Sequence, residues 1–191
     1  MADVAAFLIE RSSMPQYQQL ERPRFFAGQL LTAADLQQEQ DYLLARSRRR
    51  NRFLHGWGIV SGLDVGIDTG TTVTVAPGLA LDCAGNELVL PVPERLTLAG
   101  LTGRHYVTIQ YLELLVGPQP TPRGDSEFSR VREAVRVELA CANPAAGHSG
   151  MGPGSPGCGQ EHALCLATLS QHGTHWRVAP AKRSVLRRMQ R

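Results

Sequence analysis

Aromatic side chains are scarce in this 191-residue chain, at 6%, and charged residues make up only 19%, leaving a formal net charge of +3. A field that weak does not by itself call for a polyanionic partner, so any basic function has to be local. The four cysteines are too few for a disulfide scaffold, and a reducing compartment would favour free thiols or metal ligands. Long apolar runs are also missing. The opening "MADVAAFLIERSS" has an acid at Asp3 and too short an apolar stretch for a secretory signal, far below the ~20 residues of a membrane span. The expectation is a protein made in the cytoplasm, without direct membrane insertion. Catalytic signatures are lacking too: there is no nucleophile elbow, phosphate-cradling glycine loop or His-Glu metal helix. "GWGIVSG" contains G-x-G but opens a strand rather than a helix, which is the wrong context for a phosphate.

What is present begins with an irregular front segment. Residues 1–31 carry Tyr17, Phe25 and Phe26 but are broken by Pro15, Pro23 and Gly28, which reads as an extended arm docking its aromatics. At Thr32 the pattern changes. "LTAADL" places Leu31 at N′, Thr32 as N-cap, Asp35 at N3 and Leu36 at N4, a capping-box variant under a hydrophobic staple. No Pro or Gly follows until Gly56, which suits a left-handed helix terminus, so residues 32–56 are predicted as one long helix of about 33 Å. On a 100° wheel Leu36, Gln40, Leu43, Ser47 and Leu54 form a narrow stripe, expected to be its buried face. The arginines from Arg46 to Arg52 surround the rest, leaving surface to spare.

From Trp57 the period becomes two. "WGIVSGLDVGI", "TTVTVAPGLALD", "NELVLPV" after the turn "DCAGN", "HYVTIQYLELLV", "VREAVRVELA", "ALCLATLS" and "HWRVA" read as strands of a β-domain over 57–180. The fold class expected is α+β, mainly β: an antiparallel sandwich or barrel preceded by the arm and the helix. Two connections look irregular, the Pro-rich 117–128 and the segment 142–160, which holds six Gly and three Pro. Residues 181–191 form a basic tail.

Two constellations could carry chemistry. Arg48, Arg49 and Arg52 read first as a solvated or carboxylate-paired face, next as bidentate anchors for a protein, and last as phosphate grips. No helix-turn-helix, zinc-finger or RNA-binding signature accompanies them, so nucleic acid is not expected as a partner. The second constellation is Cys141, His148, Cys158, His162 and Cys165, spaced C-x6-H-x9-C-x3-H-x2-C around the Gly/Pro segment. Thiolate and imidazole are zinc's preferred ligands, and four of these five would close a structural zinc site that pins the loop. The spacing matches no standard zinc knuckle, and a Cys141–Cys158 disulfide or unlinked thiols are the alternatives. Cys83, in its turn, looks unrelated.

"RPRFFAGQLLTAADLQQEQDYLLARSRRRNRFLHGWGIVSGLDV" and "VTVAPGLALDCAGNELVLP", continuing through "YVTIQYLE", "SRVREAVRVEL" and "CLATL", resemble small proteins encoded beside phage-tail-like contractile injection systems. The second segment is also similar to a β-motif of phage baseplate and tail-fibre proteins. The resemblance implies a non-enzymatic structural part, synthesised in the cytoplasm and incorporated in several copies into a tail-like particle among its other subunits. Relatives carry cysteines near the "CLATL" strand, which favours zinc or clustered thiols at Cys158 and Cys165. Aromatic and arginine side chains are usual interface anchors, so Phe25, Phe26, Arg48, Arg49 and Arg52 are the contact candidates. The alternatives are a carbohydrate-binding β-module stacking sugars on Trp57 or Trp176, or a small zinc-stabilised adaptor.

Overall fold

Thr32 starts the helix through the capping box that the sequence indicates. Its hydroxyl accepts from the Asp35 N–H at 3.2 Å, while its own N–H donates to the Asp35 carboxylate at 2.9 Å. Two otherwise orphaned donors are thereby satisfied. The computed structural model describes residues 19–144, 146, 148 and 157–181, so the front of the arm and the basic tail beyond Ala181 lie outside the described residues.

Helix α1 covers Ala33–Arg50 and then widens into a π-helical turn over Asn51–His55, closed by Gly56 at φ 77°. The extra residue in that turn shifts the phase of the side chains. Asn51 and Arg52 accordingly point inward and are buried, whereas no residue of α1 itself is. The leucine stripe expected to be covered is open instead: Leu36, Leu43 and Leu54 are all more than half exposed. The helix is held by polar contacts at its C-terminal end rather than by an apolar face along its length.

Among the described residues ten antiparallel strands come after it: β1 (Gly58–Gly62), β2 (Val65–Thr69), β3 (Thr72–Val75), β4 (Gly78–Leu81), β5 (Glu87–Leu90), β6 (Glu94–Thr97), β7 (Arg104–Pro120), β8 (Ser126–Ala140), β9 (Leu164–His172) and β10 (His175–Pro180). They form three sheets ordered β1-β4-β5, β2-β3-β6 and β10-β9-β7-β8. The architecture is mainly β with one helix, as the alternation predicts. All three sheets contribute to one core, in which Ile59 and Leu88, Val73 and Val75, and Val107, Ile109, Leu166 and Leu169 are buried. The period of two, which places every second side chain on one face, is what gathers these residues.

Several stretches differ from the sequence reading: "TTVTVAPGLALD" is two strands, β3 and β4, and β6 was not among the strands expected. "WGIVSGLDVGI" is not one strand: it breaks at Leu63, a buried non-glycine residue at φ 56°, whose N–H bonds to the Pro77 carbonyl at 3.2 Å. The segment 117–128 is mostly regular, because β7 and β8 pair out to Pro120 opposite Ser126 and only 121–125 remain as the turn. Prolines two apart, Pro118 and Pro120, omit their N–H groups on the same edge. β9 pairs with β7 only over Arg104–Ile109, so the outer hairpin has an edge with no ladder to interrupt.

Candidate metal centre and the helix root

The β4–β5 turn is fixed by Asp82. Its carboxylate, 1% exposed, accepts the main-chain N–H and the side-chain amide of Asn86, each at 2.8 Å. Burial pushes the Asp82 carboxyl up to about 6, opposed by these Asn86 donations and raised further by the charge of Glu161. The Asn86 amide also reaches Glu161 Oε1 at 3.2 Å, which ties the turn to the segment arriving from the Gly/Pro loop.

That segment runs close against the domain. Gly157, at φ 67°, lies where a Cβ would come within 2.9 Å of both Cys83 Sγ and Trp57 Cδ1. No side chain fits there, and the backbone conformation itself favours glycine. The chain so held presents Cys158 and His162 to Cys83 in the turn, with His148 completing the group. One ligand atom from each of these four residues lies within 4.8 Å of the others. This set could hold a metal ion.

The details fit ligation. His162 Nδ1 lies 3.1 Å from the Ala163 carbonyl, so that nitrogen carries the proton and Nε2 keeps a lone pair; Nε2 is buried and has no hydrogen-bond partner among the described residues. His148 Nδ1 is 3.6 Å from Cys83 Sγ, and the two imidazoles stand with centroids 3.9 Å apart. The Gln160 N–H points at Cys158 Sγ at 3.4 Å. Burial raises the Cys83 thiol to about 12, with the neighbouring Cys158 sulfur adding to the rise and a main-chain hydrogen bond from Cys158 opposing it. Burial, and then the charge of His162, hold His148 below its ordinary value. The first shift disfavours a thiolate, a penalty that a divalent cation would reverse, and the second keeps His148 as the neutral imidazole that can ligate.

Three of the five residues singled out in the sequence are thus brought together, and two are not. Cys141 is exposed just after β8, and Cys165 sits on β9 with its thiol 3.6 Å from the Ala167 carbonyl. Cys83, set aside in the sequence reading, stands in their place. The signal for it was its tight Asp-Cys-Ala-Gly-Asn turn, but only the tertiary fold reveals which loop that turn faces.

The contact candidates also separate. Arg48 Nη2 donates to Glu113 Oε1 at 2.9 Å and lies 3.4 Å from the Tyr111 hydroxyl, which itself donates to Glu113 at 3.0 Å. Burial, with the Glu113 charge adding to it, pushes the Tyr111 hydroxyl well up. Arg52 is 8% exposed, with its guanidinium against Gly159. Asn51 donates to the Gly85 carbonyl at 3.0 Å. These three residues root α1 on β7, on the β4–β5 turn and on the segment carrying Cys158, so Arg48 and Arg52 serve the chain's own packing. Phe25, Phe26 and Arg49 remain on the surface. Most of the large exposed apolar side chains among the described residues lie in the same stretch: Phe25, Phe26, Leu30, Leu31, Leu36, Leu43 and Leu54. Trp57 is buried at the edge of the metal-ligand group, and Trp176 is half-buried, packed against His105 and the core. Among the described residues, no helix is long and apolar enough to cross a membrane.

No protein-family profile and no curated protein sequence matches the chain. Solved structures do. A chain of the TssK-TssF-TssG baseplate subcomplex of the type VI secretion system superposes with a TM-score of 0.52 at 13% identity, over 86% of this chain and 61% of that one. The baseplate complex from the type VI secretion system (TM-score 0.46, 14% identity, 86% and 59% covered) and the crystal structure of TssK (0.45, 14%, 84% and 41%) are also similar. The likeness is one of fold, and the chain spans about three fifths of the length of the first of these proteins.

Proposed function

We propose that this chain is a non-enzymatic structural subunit of a phage-tail-like contractile injection particle, acting at the baseplate or spike end through contacts with other subunits. The observation that carries the reading is the fold shared with a chain of a type VI secretion baseplate subcomplex over 86% of this chain. The apolar surface on the front segment and α1 supports it. Leucines more than half exposed on a helix with no buried residue make physical sense when another chain covers them. Phe25, Phe26 and Arg49 are the contact residues in this reading, and copies of the chain occupy equivalent positions in the particle.

The test is mass spectrometry and cryo-electron microscopy of particles purified from producing cells, for the natural chain and for Leu36→Ser/Leu43→Ser. The natural chain should co-purify and occupy density at one end of the particle, and the double substitution should reduce its occupancy at least about tenfold while the free protein stays folded. Particles that assemble without the chain, or density for it along the tube, would defeat the proposal.

A further inference from the structure

We propose that Cys83, His148, Cys158 and His162 bind one zinc ion in a closed tetrahedral site that is structural rather than catalytic. The ligand atoms are the two Sγ atoms, His162 Nε2 and His148 Nδ1. Four separate observations converge on this set. One ligand atom from each of the four residues lies within 4.8 Å of those of the others. The 3.6 Å between Cys83 Sγ and His148 Nδ1 equals the edge of about 3.6 Å expected between sulfur and nitrogen on a tetrahedral zinc, from bonds of about 2.3 and 2.0–2.1 Å. His162 Nε2 is a buried acceptor with no hydrogen-bond partner among the described residues, and its other nitrogen is oriented by the Ala163 carbonyl, the usual arrangement of a ligating imidazole. The Gln160 N–H is aimed at Cys158 Sγ, where it would stabilise a thiolate.

Two thiolates balance the charge of a divalent ion, so the site carries no net charge into its partly buried surroundings. Two sulfurs and two imidazole nitrogens in a tetrahedron select zinc over magnesium or calcium, which prefer oxygen. All four positions are filled by protein, leaving none for an activated water, and this makes the site structural. On binding, the two thiols lose their protons to solvent and nothing is oxidised. The ion joins the β4–β5 turn to both flanks of the glycine- and proline-containing stretch 149–157, cross-linking positions 65 residues apart. A cross-link between positions so far apart in sequence lowers the conformational entropy of the unfolded chain. The inference stands apart from the proposed assembly role, since the metal would serve any function this fold performs.

The experiment is elemental analysis of the full chain purified under reducing conditions without chelators, alongside Cys83→Ser, His162→Asn and Cys141→Ser/Cys165→Ser. About one zinc per chain is expected for the natural protein and for the double variant, falling below about a tenth in the other two. Should those two variants fail to fold, cobalt uptake by the natural chain decides. Intense visible bands of tetrahedral thiolate-ligated cobalt, displaced by zinc, support the site. Zinc lost from Cys141→Ser/Cys165→Ser, no cobalt spectrum, or a Cys83–Cys158 disulfide in thiol counts of the reduced preparation would overturn the proposal.

Discussion

Replacing Arg48 by methionine keeps the length of the side chain and removes its charge, and the geometry at the helix root sets the cost. The Arg48 and Glu113 side chains are 17% and 6% exposed and 2.9 Å apart. Removing one member of a buried pair strands the other, at a cost of about 3–5 kcal/mol in a fully enclosed site. Arg48 retains some solvent, and Glu113 keeps the Tyr111 hydroxyl, so about 2–3 kcal/mol is expected for Arg48→Met. For a domain of this size that is a drop in Tm of roughly 5–10 °C. Arg46→Met, on the exposed part of the same helix, should stay within about 0.5 kcal/mol of the natural chain. Urea unfolding at fixed zinc concentration, monitored by the fluorescence of Trp57 and Trp176, measures both. The double change Arg48→Met/Glu113→Gln should recover part of the loss, giving a coupling energy of about 1–2 kcal/mol. If Arg48→Met costs no more than Arg46→Met, or the coupling is zero, the root is not electrostatic and α1 is held by something else.

Other expectations rest on single features. Ile109, fully buried between β8 and β9, should cost about 2–5 kcal/mol as Ile109→Ala, read by the same unfolding curves. Gly157→Ala drives a methyl group into Cys83 and Trp57 at a positive φ, so it should lower both zinc content and Tm; an unchanged metal content would contradict the close approach. Asp35 has its carboxyl held below its ordinary value, first by the Thr32 side chain and then by its backbone, so its cap is in place above that ordinary value and is lost as pH falls through the lowered one. Far-ultraviolet circular dichroism in that acid range should show helix loss in the natural chain that Asp35→Asn, already lacking the charge, does not add to.

The parts of this fold legible in the sequence are those decided by neighbouring residues. Thr32 and Asp35 announce the helix because a capping box is a contact across three positions, and Gly56 announces its end because a positive φ is a property of one residue. The strands show through their alternation for the same reason. What stayed hidden depends on distant partners. The leucine stripe looked like a buried face because hydrophobicity usually decides orientation, yet Arg48 and Asn51 turn toward the domain through bonds to Glu113 and Gly85, and Arg52 by packing against Gly159. The prolines of 117–120 disguised a strand whose free edge tolerates them. Cys83 went unassigned for the same physical reason: a ligand set closed across 65 residues leaves no spacing pattern, whereas His148, Cys158 and His162 share one loop.

Because α1 is gripped at one end, it behaves as a cantilever. Its 18 residues reach about 27 Å from the root to Ala33. A tilt of roughly ten degrees at the C-terminal end of α1 would sweep the tip through about 5 Å, close to the advance of one helical turn. A load applied to the leucines near the tip would therefore act on Glu113 and the β4–β5 turn with a long moment arm, and strain delivered at the outer end is gathered at the three side chains of the root, Arg48, Asn51 and Arg52.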